Sequence, residues 1–224
     1  MKKQLFTAAL ALFVCAAAHA APCNVAADGD VNVALRRAAY EGDTQNAHCL
    51  LGAGADVNSA NKRGITALLL AAFGGYTDTV RALLEKGADV NAVHEKGVTA
   101  LMQAALTGHT DIARLLLEHG ANPNAAEKNG DTALALAAYK GHADIARLLI
   151  ERGADVNAAD RRGTTALMTA VLEGHTGTAR LLIEKGANVN AVRKDGDTAL
   201  SFAKKAKANR NATIKVLRDA GAKE

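Results

Sequence analysis

The sequence predicts an all-α repeat solenoid, a stack of helix–helix–β-hairpin units with a 33-residue period. Three observations carry it. The phrase GADVNA stands at 87–92 and 153–158, with near copies at 54–59, 120–125 and 186–191. Its opening glycines, Gly54, Gly87, Gly120, Gly153 and Gly186, each fall 33 residues after the last. Two further phrases keep that beat: Gly-x-Thr-Ala-Leu from Gly64, Gly97, Gly130, Gly163 and Gly196, and Gly75-Tyr76, Gly108-His109, Gly141-His142 and Gly174-His175.

Within one unit the local chemistry orders the elements. Thr66 reads as an N-cap, and the apolar run from Ala67 forms a short helix that Gly74 and Gly75 stop. Thr77 and Asp78 restart a helix, with Thr77 read as a hydroxyl cap and Asp78 as an acid near the positive end of the dipole. That helix runs through Val80, Leu83 and Leu84 to Gly87, a residue that accepts left-handed backbone angles. The next stretch has too little apolar periodicity for a helix and ends in turn pairs such as Asn129-Gly130 and Asp195-Gly196, so it reads as a hairpin. A unit this small cannot bury its own leucines, and the copies must stack.

These motifs resemble the ankyrin repeat family. The resemblance rests on G-x-T-A-L-x-x-A-A-x-x-G-H, on Leu-Leu/Ile-Glu-x-Gly-Ala and on Asp/Asn-Val-Asn-Ala, in register from about residue 31 to 224. The family's Thr-Pro-Leu-His becomes Thr-Ala-Leu-x, with Leu69, Met102, Ala135, Met168 and Ser201 in the His place. Alanine still propagates a helix there, so losing the proline is mild. Six units follow: a capping unit at 31–63, regular units at 64–96, 97–129, 130–162 and 163–195, and a capping unit at 196–224. The caps depart from the pattern with charge, at Arg36 and Arg37 and at Lys204, Lys205, Lys207 and Arg210, and Gly221 falls two residues late. Polar outer faces stop a stack from growing.

The first twenty residues have no repeat phase. Lys2 and Lys3, the apolar run 5–17 and Ala18-His19-Ala20 read as a signal peptide cleaved after Ala20, leaving an arm at 21–30. The apolar run is shorter than the ~20 residues a membrane span needs. The expected location is periplasmic or secreted, with no membrane span after cleavage. Cleavage leaves Cys23 and Cys49 in a compartment where thiols pair, and a disulfide between them would pin the arm over the first unit. Cys49 as a small core residue is the other reading.

Composition excludes several functions. The chain carries 27 basic and 23 acidic residues, too balanced to declare a polyanion partner. No tryptophan and few other aromatics argue against stacking on nucleic acid. Ser59 and Ser201 lie in no nucleophile motif, and the row His109, His142, His175 steps one repeat at a time, about 8–10 Å between helices, too far to share one zinc. No catalytic residue, cofactor or metal site is expected. Glu85, Glu118, Glu151 and Glu184, each four residues after an arginine, read as an exposed face with weak i,i+4 pairs. Asp89, Asn122, Asp155 and Asn188 read as turn residues.

One column is explained by neither core nor caps: Tyr40, Phe73, Leu106, Tyr139 and Leu172. The ankyrin resemblance implies that this position, its successor (Lys140 in the fourth unit) and the hairpin tips line a concave groove that contacts partners. Candidate binding residues are therefore that column with Arg63, Lys96, Lys140 and Arg162. The expected function is a non-enzymatic scaffold, expected as a monomer, that binds another protein through the groove. A small ligand or an envelope polyanion held by the basic tips is the alternative. The leucine columns, Leu116 among them, are expected to form the core between units.

Overall fold

In the computed structural model, residues 23–25, 29–206 and 208–223 are described, and the leader read at 1–20 lies outside them. Twelve helices form among the described residues, two per repeat. They are α1 (Val31–Glu41), α2 (Thr44–Gly52), α3 (Ala67–Gly74), α4 (Thr77–Glu85), α5 (Ala100–Thr107), α6 (Thr110–Glu118), α7 (Ala133–Lys140), α8 (Ala143–Glu151), α9 (Ala166–Leu172), α10 (Thr176–Glu184), α11 (Ala199–Lys205) and α12 (Arg210–Asp219). Odd-numbered helices pack on odd-numbered ones, even on even, and each pair closes on itself, giving a two-layer helical stack.

The odd helices begin as the sequence predicts. Thr66, Thr99, Thr132 and Thr165 adopt extended backbone, and each hydroxyl accepts the N–H three residues on. Thr198 does the same for Ser201, whose own hydroxyl returns a bond to the Thr198 N–H. These helices are flanked on several sides and pair buried leucines (Leu68, Leu101, Leu134 and Leu167) with small residues. Ala71, Ala72, Ala104, Ala105, Ala137 and Ala138 are fully enclosed.

The even helices begin differently from expectation. In α4, α6, α8 and α10 the N-caps are Tyr76, His109, His142 and His175, and none makes a side-chain capping bond, whereas Asp43 caps α2 by accepting the Asn46 N–H at 3.0 Å. Thr77 is already helical, so its reading as the cap is corrected. The hydroxyls of that column bond sideways where they bond at all: Thr44 to Thr79 at 2.7 Å and Thr176 to Thr213 at 2.8 Å, each across to the next repeat. The cap rings lie instead against the glycine of the preceding turn. A Cβ placed on Gly75 would meet the His109 ring at 2.5 Å and one on Gly141 the His175 ring at 2.6 Å. Those glycines also hold positive φ, so no other residue fits there without strain. The His175 Nε2–H further donates to the Tyr139 carbonyl at 3.0 Å. The histidine row thus ties turn to turn.

Where hairpins are expected, no sheet forms among the described residues. The connecting arms pair only as the isolated antiparallel bridges Ala126–Thr132, Ala159–Thr165 and Val192–Thr198. The arms are too short to add a second rung before the threonine cap starts the helix. Each tip closes on itself through a bond such as that from the His94 N–H to the Val98 carbonyl at 2.9 Å. The tips also hold one another: the N–H groups of Glu95, Lys128, Arg161 and Lys194 donate to the carbonyls of Arg63, Lys96, Asn129 and Arg162 in the preceding tip, at 2.8–2.9 Å.

The GADVNA phrase proves to be an inter-repeat clamp. Its Asp or Asn (Asp89, Asn122, Asp155, Asn188) accepts the N–H two residues on, as the turn reading requires. The following asparagine reaches forward. Asn124 Nδ2 donates to the Gly153 carbonyl at 2.9 Å while its Oδ1 accepts the Asp155 N–H at 2.8 Å. Asn58, Asn91 and Asn157 repeat this pair of bonds to Gly87 and Asp89, Gly120 and Asn122, and Gly186 and Asn188. Asn190 extends it to Gly221 and Lys223, so the cap's two-residue offset is absorbed before that point. Asn124→Ala is expected to lower stability by about 1–2 kcal/mol, two net hydrogen bonds on a solvent-facing edge. Denaturant midpoints of the variant and parent check it, and an unchanged midpoint would show that the clamp is ornamental.

At the first unit, Cys23 and Cys49 form a disulfide with Cα atoms 5.5 Å apart. Asn24 adds paired bonds to Asn46, so this part of the arm lies on α2.

Candidate functional site

The proposed column lies near the C-terminal ends of α1, α3, α5, α7 and α9, on successive helices of one layer. Tyr40 is 60% exposed, Phe73 47%, Tyr139 43% and Leu172 40%, while Leu106 is half-buried. The pattern follows from helix geometry. One residue earlier in the chain, Ala39, Ala72, Ala105, Ala138 and Val171 turn into the stack and are fully enclosed. The next position turns out to solvent.

The tips supply charge. Arg63, Lys96, Lys140 and Arg162 are exposed. Arg63 Nε pairs with Glu95 of the next tip at 3.1 Å, and the Lys140 ammonium sits 4.9 Å from the Tyr139 ring centroid. One outer-face acid pairs differently from expectation. Glu118 meets Arg152 of the following repeat at 3.7 Å, not Arg114 four residues before it on its own helix. Such exposed pairs contribute little to stability.

Tips and helices come together at the C-terminal end. A pocket of about 550 Å³ lies there, floored by Met168, Leu172 and Phe202 and walled by tip residues. Two carboxylates nearby are displaced in opposite directions. Asp131 is held above the usual carboxylate range by burial first, then by the charges of Glu127 and Asp160. Asp197 is held below it, chiefly by hydrogen bonds from Lys205 and Ser201. Lys205 Nζ lies 2.9 Å from both Asp197 oxygens. No cluster of His, Cys, Asp or Glu able to hold a metal occurs among the described residues.

A family model described as Ankyrin repeats (3 copies) matches residues 35–127, 87–160, 121–193 and 159–223. The chain belongs to the ankyrin repeat family. The search of curated proteins returns no match. Ankyrin repeats are in general protein–protein interaction modules and non-enzymatic scaffolds. In this ankyrin stack, the sequence reading overlooked two features with site potential. Val93 and Val192 are exposed apolar residues on the tips, at 56% and 62%. Arg193 folds inward over Phe202, its Cζ 5.6 Å from the ring centroid. The column position of Arg193 was the available signal, since Asn61, His94, Glu127 and Asp160 precede it.

Proposed function

We propose that this ankyrin stack is a non-catalytic scaffold that binds another protein along the groove between the odd-numbered helices and the tips. The observation that carries it is the exposure of Tyr40, Phe73, Tyr139 and Leu172 in one column. Aromatic and large apolar side chains with small or charged neighbours are the usual anchors of an interface. The reading takes the connecting segments as rudimentary hairpins and the units as repeats of 33-residue period bounded at 31–63, 64–96, 97–129, 130–162 and 163–195, with a shorter capping unit at 196–224. Helix starts at Ala67, Ala100, Ala133, Ala166 and Ala199 support that period. The test is purification of the tagged chain beside its Phe73→Ala/Tyr139→Ala variant. A partner retained by the first and lost by the second supports groove binding; equal retention overturns it. Repeating the wash at low and moderate salt separates apolar anchoring from attraction to the basic tips, which falls steeply with ionic strength.

The scaffold is further proposed to be exported, periplasmic or secreted, and to work as a monomer. The Cys23–Cys49 disulfide supports a non-reducing compartment, and no described helix is long and apolar enough to cross a membrane. N-terminal sequencing of the protein from the envelope fraction is expected to begin at Ala21. A product that starts at Met1 rejects the export reading.

A further inference from the structure

We propose that the C-terminal pocket of the groove receives the carboxylate of an acidic side chain on the bound protein segment, with Arg193 as its counter-ion. This rests on the groove reading above, because Leu172 is both the last member of the exposed column and part of the pocket floor.

The first argument is a broken local rule. At the start of each tip, one side chain accepts the backbone N–H two residues on: Asn61 from Arg63 at 2.9 Å, His94 from Lys96 at 3.2 Å, Glu127 from Asn129 at 2.6 Å and Asp160 from Arg162 at 2.8 Å. Asn61 and Asp160 also accept the N–H four residues on, from Ile65 and Thr164. Arginine carries donors only, so Arg193 cannot close its tip this way. A position that gives up a turn contact available to its four counterparts is a place to look for function.

The second argument is what the arginine does instead. Its side chain is only 15% exposed, one Nη lies 3.0 Å from Asp195, and the guanidinium covers Phe202. Its Nε is enclosed and has no acceptor among the described residues. Leaving a charged donor enclosed and unmet is costly, and a turn of the side chain that presents Nε to a bound carboxylate removes that cost.

The third argument is the distribution of charge. Arg161 and Arg162 of the middle tip join Arg193 on the pocket wall, above the apolar floor. Two aspartates line it as well. Asp160 already commits one oxygen to the N–H groups of Arg162 and Thr164. Asp131, on the first tip, stands against Glu127 and Asp160, so that end repels an anion, and the Arg193 side, where Asp195 already holds one Nη, is the less unfavourable for a carboxylate. The volume of about 550 Å³ suits a carboxylate-bearing side chain with one apolar neighbour resting on Met168 and Leu172.

The experiment titrates the purified chain with the peptide acetyl-Leu-Glu-Leu-amide and its isostere acetyl-Leu-Gln-Leu-amide, following arginine Nε–H resonances by NMR. The Glu peptide is expected to move the Arg193 resonance and to bind at least about tenfold more tightly than the Gln peptide. Equal affinities overturn the proposal, whatever any variant does. Arg193→Asn restores an acceptor of the kind Asn61 supplies, so its melting temperature is expected to hold or rise while the Glu/Gln discrimination disappears. A clear fall in melting temperature with no discrimination in the parent shows Arg193 to be only a cover for Phe202. The Phe73→Ala/Tyr139→Ala variant is expected to keep the peptide discrimination, since those rings lie outside the pocket. Failure of the groove reading and failure of the Arg193 site are thereby distinguished.

Discussion

Replacing Leu116 with Ala is expected to lower the free energy of unfolding by about 2–5 kcal/mol, from lost burial and the cavity left behind. Leu116 is 0% exposed in the middle of the stack. Its column, Leu50, Leu83, Leu116, Leu149, Leu182 and Leu217, is fully enclosed in all six repeats. In a solenoid each repeat touches only its neighbours, so stability divides into unit terms and interface terms. Leu116 lies on α6, which packs on α4 and α8, and a hole there weakens two interfaces at once. Alanines crowd the inner layer of helices, leaving little side-chain freedom to close the gap. Chemical denaturation of variant and parent reads the effect. A change below about half a kcal/mol would mean that the leucine columns do not hold the repeats together.

Replacing Phe73 and Tyr139 together with Ala is expected to weaken partner binding by at least ~2 kcal/mol, the range of interface anchors. Stability should fall far less than for Leu116→Ala, because both rings are already about half in solvent. The two rings lie two repeats apart, with half-buried Leu106 between them. A segment lying along the groove can therefore engage all three. Tyr139 also carries the Lys140 ammonium on its face, so its removal frees a cation rather than opening the core. Glu85→Ala and Glu118→Ala, on the outer helices, serve as controls and should leave binding unchanged. If the double variant instead unfolds as readily as Leu116→Ala, the rings are structural. The partner surface would then be sought at the tips around Arg63, Lys96 and Arg162.

Most of the helical stack is legible because its signals are local and repeated. A threonine before an apolar run caps a helix by contacts within three residues, as Thr66 and Thr99 do. A glycine after it ends the helix through its own φ, as Gly75 and Gly108 do. Enclosure of the leucine columns follows from stacking alone. The misreadings came where a local motif has two uses. Thr77 before an acid looks like an N-cap, yet Tyr76 takes that place because its ring seats over Gly42 of the repeat before. The i,i+4 spacing of Arg114 and Glu118 permits an ion pair, but Arg152 of the next repeat is the partner.

The sequence by itself determined the repeat, the threonine-capped starts of α3, α5, α7, α9 and α11, the buried leucines and the candidate column. Those properties depend on neighbours in the chain and on a period that every copy restates. Only the tertiary structure decided what the copies do to one another. It turned the asparagine of GADVNA into a clamp on the next unit and reduced the hairpins to single bridges held tip to tip. It also folded Arg193 over Phe202, nine residues further on, at the edge of a pocket built from three tips. The clamp and the tip-to-tip bonds join atoms about one repeat apart in the chain, and their geometry depends on how closely two units stack. The spacing of motifs along a sequence carries no record of that distance.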